Sequence, residues 1–349
     1  MANNRVFYAC QGVAIAPTGT APGDSTTTVI HGVQSIGITT NFNLEQAFEL
    51  GQIQIYENIE GTPDVEVTLE KVIDGHPLIY HTATKDATSS NLVGRSKQQC
   101  IVALGIYADD VDVITGNAPA EVVCSGMYLS NISYTLAGDG NSTESITFVG
   151  NNKTWNTTAE FLTTNQSLEI PRSGGAGTDA PLGGSGVARR EDVLLSLCQL
   201  PQSIQGITSA AVGNALDSNG ATKVHIQNFT CSTDLSREDI LELGRRTPYY
   251  RAPNFPVEVT SEFEVISISG DFVAADEDAD SNTSEETIRM VTKNGLIIDL
   301  GSKNRLSSVS YGGGDATGGN ATSTYSYTNF NDMKIIASGV LVDPAGLKV

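Results

Sequence analysis

The chain has 349 residues, of which 20 are Lys or Arg and 40 are Asp or Glu, so its formal net charge is −20. This excess of acid disfavours a protein that grips DNA or RNA through phosphate contacts, and one that binds an anionic membrane surface. Hydrophobic residues form 39% of the chain, which is enough to build a core. At roughly 150 residues per domain, the length predicts about two domains.

The five cysteines are scattered and form no CxxC pair, which is typical of a protein that stays in a reducing compartment. No apolar stretch is long enough to span a membrane, and the first residues lack the apolar segment of a secretory leader. We therefore expect no membrane partner.

Most of the chain alternates apolar and polar residues with the period of two expected of strands that are buried on one face. The alternation is clear at 52–56, 65–72, 132–136, 145–149, 257–260 and 263–268. Turn residues rich in Gly, Asn and Asp separate these runs, for example at 138–141 and 312–319. The sequence predicts a mainly β protein.

Three segments have the spacing of short helices. Asn43 and Ser236 are placed as N-caps of helices that would end at the Glu-Leu-Gly triplets 49–51 and 242–244. A third helix is predicted over 189–200, where leucines recur at helical spacing before a proline.

The most informative feature is an internal repeat at a spacing near 190 residues. An offset of 193 lays 33–51 on 226–244 without a gap, and a one-residue slip then lays 65–68 on 257–260. Further on, 129–134 matches 306–311. A repeat of this length is a whole domain rather than a solenoid or propeller unit, so we predict a tandem duplication.

The duplication sets the predicted domain organisation. A first domain occupies 1–170, a Gly-rich linker occupies 171–187, and a second domain occupies 188–349. The linker has the composition of a flexible connection.

No motif for catalysis is found. The four histidines have no HxxxH or HExxH spacing, and there is no nucleophile elbow or phosphate-binding loop. The acidic run 276–280 begins like a calcium loop but lacks the expected Gly and the final Glu, so we interpret it as a solvated loop. We predict no enzyme activity, no catalytic residue, no metal and no cofactor.

Residues 236–260 resemble the helix, loop and strand of bacteriophage tail tube proteins, and 49–68 resemble a second version of that unit. The resemblance covers most of both copies. It implies two tandem tail-tube-like β-sandwich or barrel domains, each with a short flanking α-helix. In this family, strands of neighbouring domains join in a ring around a channel, rings stack into a tube, and the genome passes through.

The charge and the repeat agree with this resemblance. An acidic wall repels DNA phosphates, so the genome would pass without specific binding. Two domains per chain would let three chains supply the six domains of a ring, although the family also has rings of six single-domain chains. The implied location is the virion tail, assembled in the cytoplasm of the bacterial host. The implied partners are other copies of the chain, and a sheath, a tail terminator and baseplate or hub proteins.

The resemblance also directs attention to surface residues. We expect the lumen-facing carboxylates among Glu66, Glu70, Glu258 and Glu264, which alternate with apolar neighbours along their strands; that face could equally be the solvated exterior. We expect contacts between subunits or rings in the linker, in the inserted loop from Lys85 to Arg95, and in the loop 245–253. The candidates in that last loop are Arg245, Arg246, Tyr249, Tyr250 and Arg251.

Two alternatives stay open. A tail hub or tail-completion protein would use the same paired domains in a single ring that does not stack. A secreted β-rich adhesin or carbohydrate-binding module is suggested by Asn-x-Ser/Thr triplets, such as those at Asn131 and Asn228, and by Gly- and Thr-rich strands. The cysteine pattern and the lack of a leader favour the tail interpretation.

Overall fold

The computed structural model describes residues 6, 8–108, 117–163, 186–205, 224–267, 273, 285–313, 319–339 and 341. Strands dominate these ranges, which confirms the prediction of a mainly β protein. The short helical segments are α1 (Ile79–Ala83), α2 (Leu92–Arg95), α3 (Gln202–Gln205) and the 3-10 turns Tyr8–Cys10 and Arg190–Asp192.

The strands fall into two series along the chain. The first comprises β1 (Gln11–Pro17), β2 (Thr28–Val29), β3 (Val33–Asn41), β4 (Leu44–Phe48), β5 (Ile55–Glu60), β6 (Asp64–Val72), β7 (Gln99–Ile106), β8 (Ala120–Ala137), β9 (Thr143–Gly150) and β10 (Asn152–Asn156). The second comprises β11 (Ile226–Asp234), β12 (Arg237–Ile240), β13 (Tyr250–Pro253), β14 (Glu258–Ile266), β15 (Arg289–Val291), β16 (Leu296–Asp299), β17 (Arg305–Gly312), β18 (Thr322–Phe330) and β19 (Lys334–Ala337).

Strand β8 is the centre of the architecture because a single twelve-stranded sheet branches at it. The N-terminal part of its 18 residues pairs with β7 and β10, in the order β2-β1-β7-β8-β10. Its C-terminal part pairs with β9 and β11, within the order β3-β6-β9-β8-β11-β14-β18-β17. All these pairings are antiparallel. We call the second set the eight-stranded sheet.

The eight-stranded sheet consists of two sets of four strands, and the strands of both sets follow one another in the sheet in the same way. Strands β3-β6-β9-β8 form the first set and β11-β14-β18-β17 the second. A register shift lies between Val33 and Ser35 in β3 and between Ile226 and Asn228 in β11, at an offset of 193. Strands β8 and β17 also share a register shift, at an offset of 177, which is the offset of the sequence match between 129–134 and 306–311.

One part of the sequence match is wrong. The pairing of β6 with β3 and of β14 with β11 aligns Val65 with Val259, an offset of 194, whereas the sequence match laid 65–68 on 257–260. The error is two residues, so it leaves each side chain on its correct face, because successive residues of a strand alternate between faces.

The three helix predictions are also wrong. The segment after Asn43 forms the hairpin β4-β5, the segment after Ser236 forms the hairpin β12-β13, and only the 3-10 turn Arg190–Asp192 occurs in 189–200. Asn43 and Ser236 have positive φ values of 47° and 39°, and their amides donate to the side chains of Asn41 and Asp234. Polar residues of this kind serve turns and helix caps alike, so the sequence could not separate the two.

A single cluster of buried side chains lies under the whole eight-stranded sheet and includes residues of both sets. Phe229 of β11 packs on Phe263 of β14 at 4.7 Å between ring centroids, and Phe263 contacts Tyr327 of β18. The same cluster contains Val67 and Phe148 of the first set. The predicted linker lies almost wholly outside the described residues, and the halves on either side of it share one sheet and one core.

The first set has a buried carboxylate that its counterpart lacks. Glu144 of β9 accepts hydrogen bonds from the amides of Ile79 and Tyr80 at 2.7 and 3.1 Å, and from the Tyr134 hydroxyl at 2.8 Å. Burial raises the pKa of Glu144, and its position in the second set is held by Ser323. Glu144 therefore fixes α1, an element without a counterpart among the described residues of the second half, onto the sheet.

Replacing Glu144 by Ala should lower the free energy of unfolding by about 2–4 kcal/mol, because it leaves buried donors without an acceptor. Urea denaturation of the variant measures this. Glu66→Ala, which removes an exposed carboxylate from the same sheet, is the matched control and should change stability by less than about 0.5 kcal/mol. Equal losses in the two variants would contradict the role given to Glu144.

Candidate functional site

The outward face of the eight-stranded sheet is lined by hydroxyl and carboxylate groups. Buried residues alternate with exposed or half-buried ones along every central strand, so each strand presents its polar residues on the same side. Strands β8, β9, β11 and β18 contribute mainly Ser and Thr to this face. Strands β6 and β14 contribute Glu66, Glu70, Glu258, Glu262 and Glu264.

The structure thus places all four predicted carboxylates, Glu66, Glu70, Glu258 and Glu264, on one continuous sheet face. Sequence reasoning missed Glu262, although the alternation through 258, 260, 262 and 264 would have found it. In the eight strands, the described cations are Lys71, buried on the opposite face, and Arg305, at one end of β17. The face is therefore strongly acidic.

The eight-stranded sheet ends in two strands that have no second neighbour among the described residues. Strand β3 pairs only with β6, and β17 pairs only with β18. Strand β3 contains no charged residue, and the only charge of β17 is Arg305. Natural edge strands usually carry charges, prolines or a cover that blocks further pairing, so these two edges lack the common protection.

Two hairpins extend from the same end of this sheet. Four antiparallel pairings separate β3 from β11, so the two strands run in the same direction. Their C-terminal ends therefore lie at the same end of the sheet. The β4-β5 hairpin follows β3, and the β12-β13 hairpin follows β11. At equivalent positions of the two tips, Leu50 and Leu243 are fully exposed beside Gly51 and Gly244, whose φ values are 93° and 87°.

A half-buried arginine fixes the base of the second hairpin to the first half of the chain. Arg237 donates to the carbonyl oxygens of Leu129, Ser96 and Arg251, and its guanidinium lies 4.7 Å from the centre of the Tyr128 ring. The rings of Tyr250 and Tyr128 pack edge to face, with 5.7 Å between their centroids. Burial lowers the pKa of Arg237 to about 10, which still leaves it charged at neutral pH.

Three of the predicted contact residues join the halves of one chain. Arg251, which is buried, pairs with Asp64 at 2.5 Å and with Asp239 at 3.1 Å. Arg246, which is exposed, lies 3.4 Å from the Glu60 carboxylate, and its carbonyl oxygen accepts a hydrogen bond from Thr62. These residues therefore contact the neighbouring half, and Tyr250 does so through Tyr128.

The other candidates are placed differently. Arg245 pairs with Glu242 at 3.2 Å and lies beside the ring of Tyr249, so both act within the hairpin tip. Lys85 is exposed. Arg95 is buried and donates to the Thr84 hydroxyl at 2.7 Å, so it holds the inserted loop together and offers no surface to a partner.

Sites for other chemistry are not evident in the described ranges. No group of three or more His, Cys, Asp or Glu side chains is arranged there to hold a metal ion, and 276–280 lies outside those ranges. All five cysteines are buried, and burial raises the pKa of Cys124 to about 11 and of Cys231 to about 12, which keeps these thiols protonated. None of the described helices has the length and apolar character to span a membrane.

No protein-family model and no curated protein matches this chain. Its function is therefore inferred from the acidic face, the two edges and the two hairpins.

Replacing Arg237 by Ala should lower the melting temperature by roughly 5 °C, because the change removes a half-buried guanidinium and leaves three carbonyl oxygens without their donor. Differential scanning calorimetry measures this. Arg246→Ala, which removes an exposed ion pair from the same hairpin, should shift melting by no more than about 1 °C. A larger effect from Arg246 would show that the tip, and not the base, fixes the hairpin.

Proposed function

We propose that this chain is the structural subunit of a bacteriophage tail tube, in which rings of the chain stack around an acidic channel that conducts the genome. The observation that carries the proposal is a sheet made of two equivalent sets of strands. At each end of this sheet is an edge strand with no second neighbour among the described residues. The chain would then act in the virion tail, with a tail terminator, hub and, in a contractile tail, a sheath as partners.

The matching strand orders and register shifts support a tandem duplication. In a duplicated chain, the β8–β11 ladder is a junction between domains, and a ladder between β17 of one chain and β3 of the next would repeat it. Such a contact joins two different surfaces, and repeating it gives a ring when the rotation between copies closes. Three chains would supply six domains and six equivalent junctions, three of them within chains.

The acidic face supports a channel wall. The carboxylates fixed on this face repel the phosphates of DNA. The face has few cations that could bind those phosphates, so a DNA duplex can slide along it. Closing the sheet with this face inward would also keep the apolar face covered by the elements that already pack on it.

The exposed hairpins support stacking. In a closed ring, all the hairpins would point from the same side, which places the Leu50 and Leu243 tips against the next ring. Exposed apolar residues gathered in one region indicate a protein interface. These tips favour a stacking tube subunit over a hub that stays a single ring.

Negative-stain microscopy should show rings with a central hole at low protein concentration and stacked tubes at high concentration. The double variant Leu50→Asp and Leu243→Asp should still form rings but should lose the tubes, because it places charge in an apolar contact. Thr158→Asp, at an exposed position away from the hairpins, is the control. Dispersed wild-type monomers at all concentrations would contradict the tube.

Reversing the charge of the acidic face should make the channel bind and retain DNA. Tubes of the variant with Lys at Glu66, Glu70, Glu258 and Glu264 should assemble around duplex DNA and protect it from nuclease at low salt, with protection lost as salt rises. Wild-type tubes should protect none. Lys at Asp24, Asp86, Asp139 and Glu191 gives the same change of charge elsewhere on the surface; DNA bound there should stay sensitive to nuclease. Equal protection by the two variants would place the acidic face outside the channel.

A further inference from the structure

We infer that the β8–β11 junction inside each chain is the template, residue by residue, for the junction between chains, so that a second copy docks with a defined register and a defined ion pair. The inference rests on the proposed ring and names the contacts that its chain-to-chain interface makes.

The strand offsets fix the register. Offsets of 193 from β3 to β11 and of 177 from β8 to β17 hold on both sides of each register shift. The internal pairs Ser232 with Ser133, Cys231 with Tyr134 and Thr233 with Ile132 therefore become Thr39 with Ser310, Ile38 with Tyr311 and Thr40 with Val309 between chains.

The edge residues are more exposed than their counterparts in the internal junction. Cys231 and Tyr134 face each other in the internal junction and are 1% and 0% exposed. Tyr311, the counterpart of Tyr134, is 54% exposed, and Ile38, the counterpart of Cys231, is only half-buried. A second copy in the inferred register would cover both side chains and satisfy the open backbone groups of the two edges.

The hairpins extend the same correspondence and place two opposite charges together. Strands β4-β5 and β12-β13 pair in the same register at an offset of 193, so Glu57 occupies the position of Tyr250. Arg305 occupies the position of Tyr128, whose ring contacts Tyr250 in the internal junction. Within its own chain Arg305 lies 3.8 Å from the exposed carboxylate of Glu285, and between chains it would also face Glu57 of the next copy.

A second contact explains an exposed apolar residue. At the internal junction, Arg246 lies against the segment 60–62. Its counterpart Ile53 is fully exposed, and the counterpart of 60–62 contains the partly exposed Phe255. The polar contact within the chain would be replaced between chains by an apolar one, which accounts for both exposed side chains.

Disulfide cross-linking tests the register. Paired residues on neighbouring strands have Cβ atoms about 4.5–5.5 Å apart, close enough for a disulfide after small adjustment, whereas diagonal neighbours are about 7–8 Å apart. Oxidised Thr39→Cys/Ser310→Cys protein should give covalent dimers and trimers on a non-reducing gel. Thr39→Cys/Ser308→Cys, out of register by two residues on the same face, is the control and should give at least about tenfold less. The native cysteines are buried and should not compete.

A charge exchange tests the ion pair. Arg305→Glu should raise the concentration needed for half-maximal ring formation by about tenfold, because it places two carboxylates together, and adding Glu57→Arg should restore assembly. Two results would overturn the inferred contacts while leaving the proposed tube intact. One is that rings form but only the control variant cross-links, and the other is that ring formation does not respond to the charge exchange. Absence of rings from the wild-type protein would overturn both.

Discussion

The backbone ladder between β8 and β11 is the contact on which the rest of the structure depends. It joins the two sets of four strands into one sheet, and it does so with hydrogen bonds that any side chains would allow. Side chains then set the register, because a slip of one residue would turn Phe229 and Tyr134 to the polar face and bring hydroxyls into the core. One continuous core and one continuous acidic face follow from this single alignment.

The two halves share a backbone plan but differ in how they are held. The first half carries α1 and α2, and the buried carboxylate of Glu144 fixes α1 through two backbone hydrogen bonds, while a third comes from Tyr134 of the neighbouring strand. The second half has Ser323 at that position and no equivalent insertion among its described residues. In a duplicated chain, such differences let one half specialise while the pairing edges, which depend on the backbone, stay interchangeable.

Polar contacts concentrate where the halves meet at the hairpin bases. Arg251 is buried there and Arg237 is half-buried, and each contacts residues of the other half. Charge-assisted hydrogen bonds have strict geometry, so they fix the orientation of a hairpin whose tip is otherwise exposed. The positions of Arg237 and Arg251 are held in the first hairpin by Leu44 and Asn58, which are both exposed.

The sequence by itself determined the strand class, the polar face of Glu66, Glu70, Glu258 and Glu264, and most of the repeat offsets, because alternation along a strand is a local property. It did not distinguish hairpins from helices after Asn43 and Ser236, since caps and turns use the same residue types. It also gave no sign that Arg95 is buried or that Arg237 is half-buried against the first half. Only the tertiary structure decided those points, and which strands remain edges, because burial and pairing depend on residues distant in the chain.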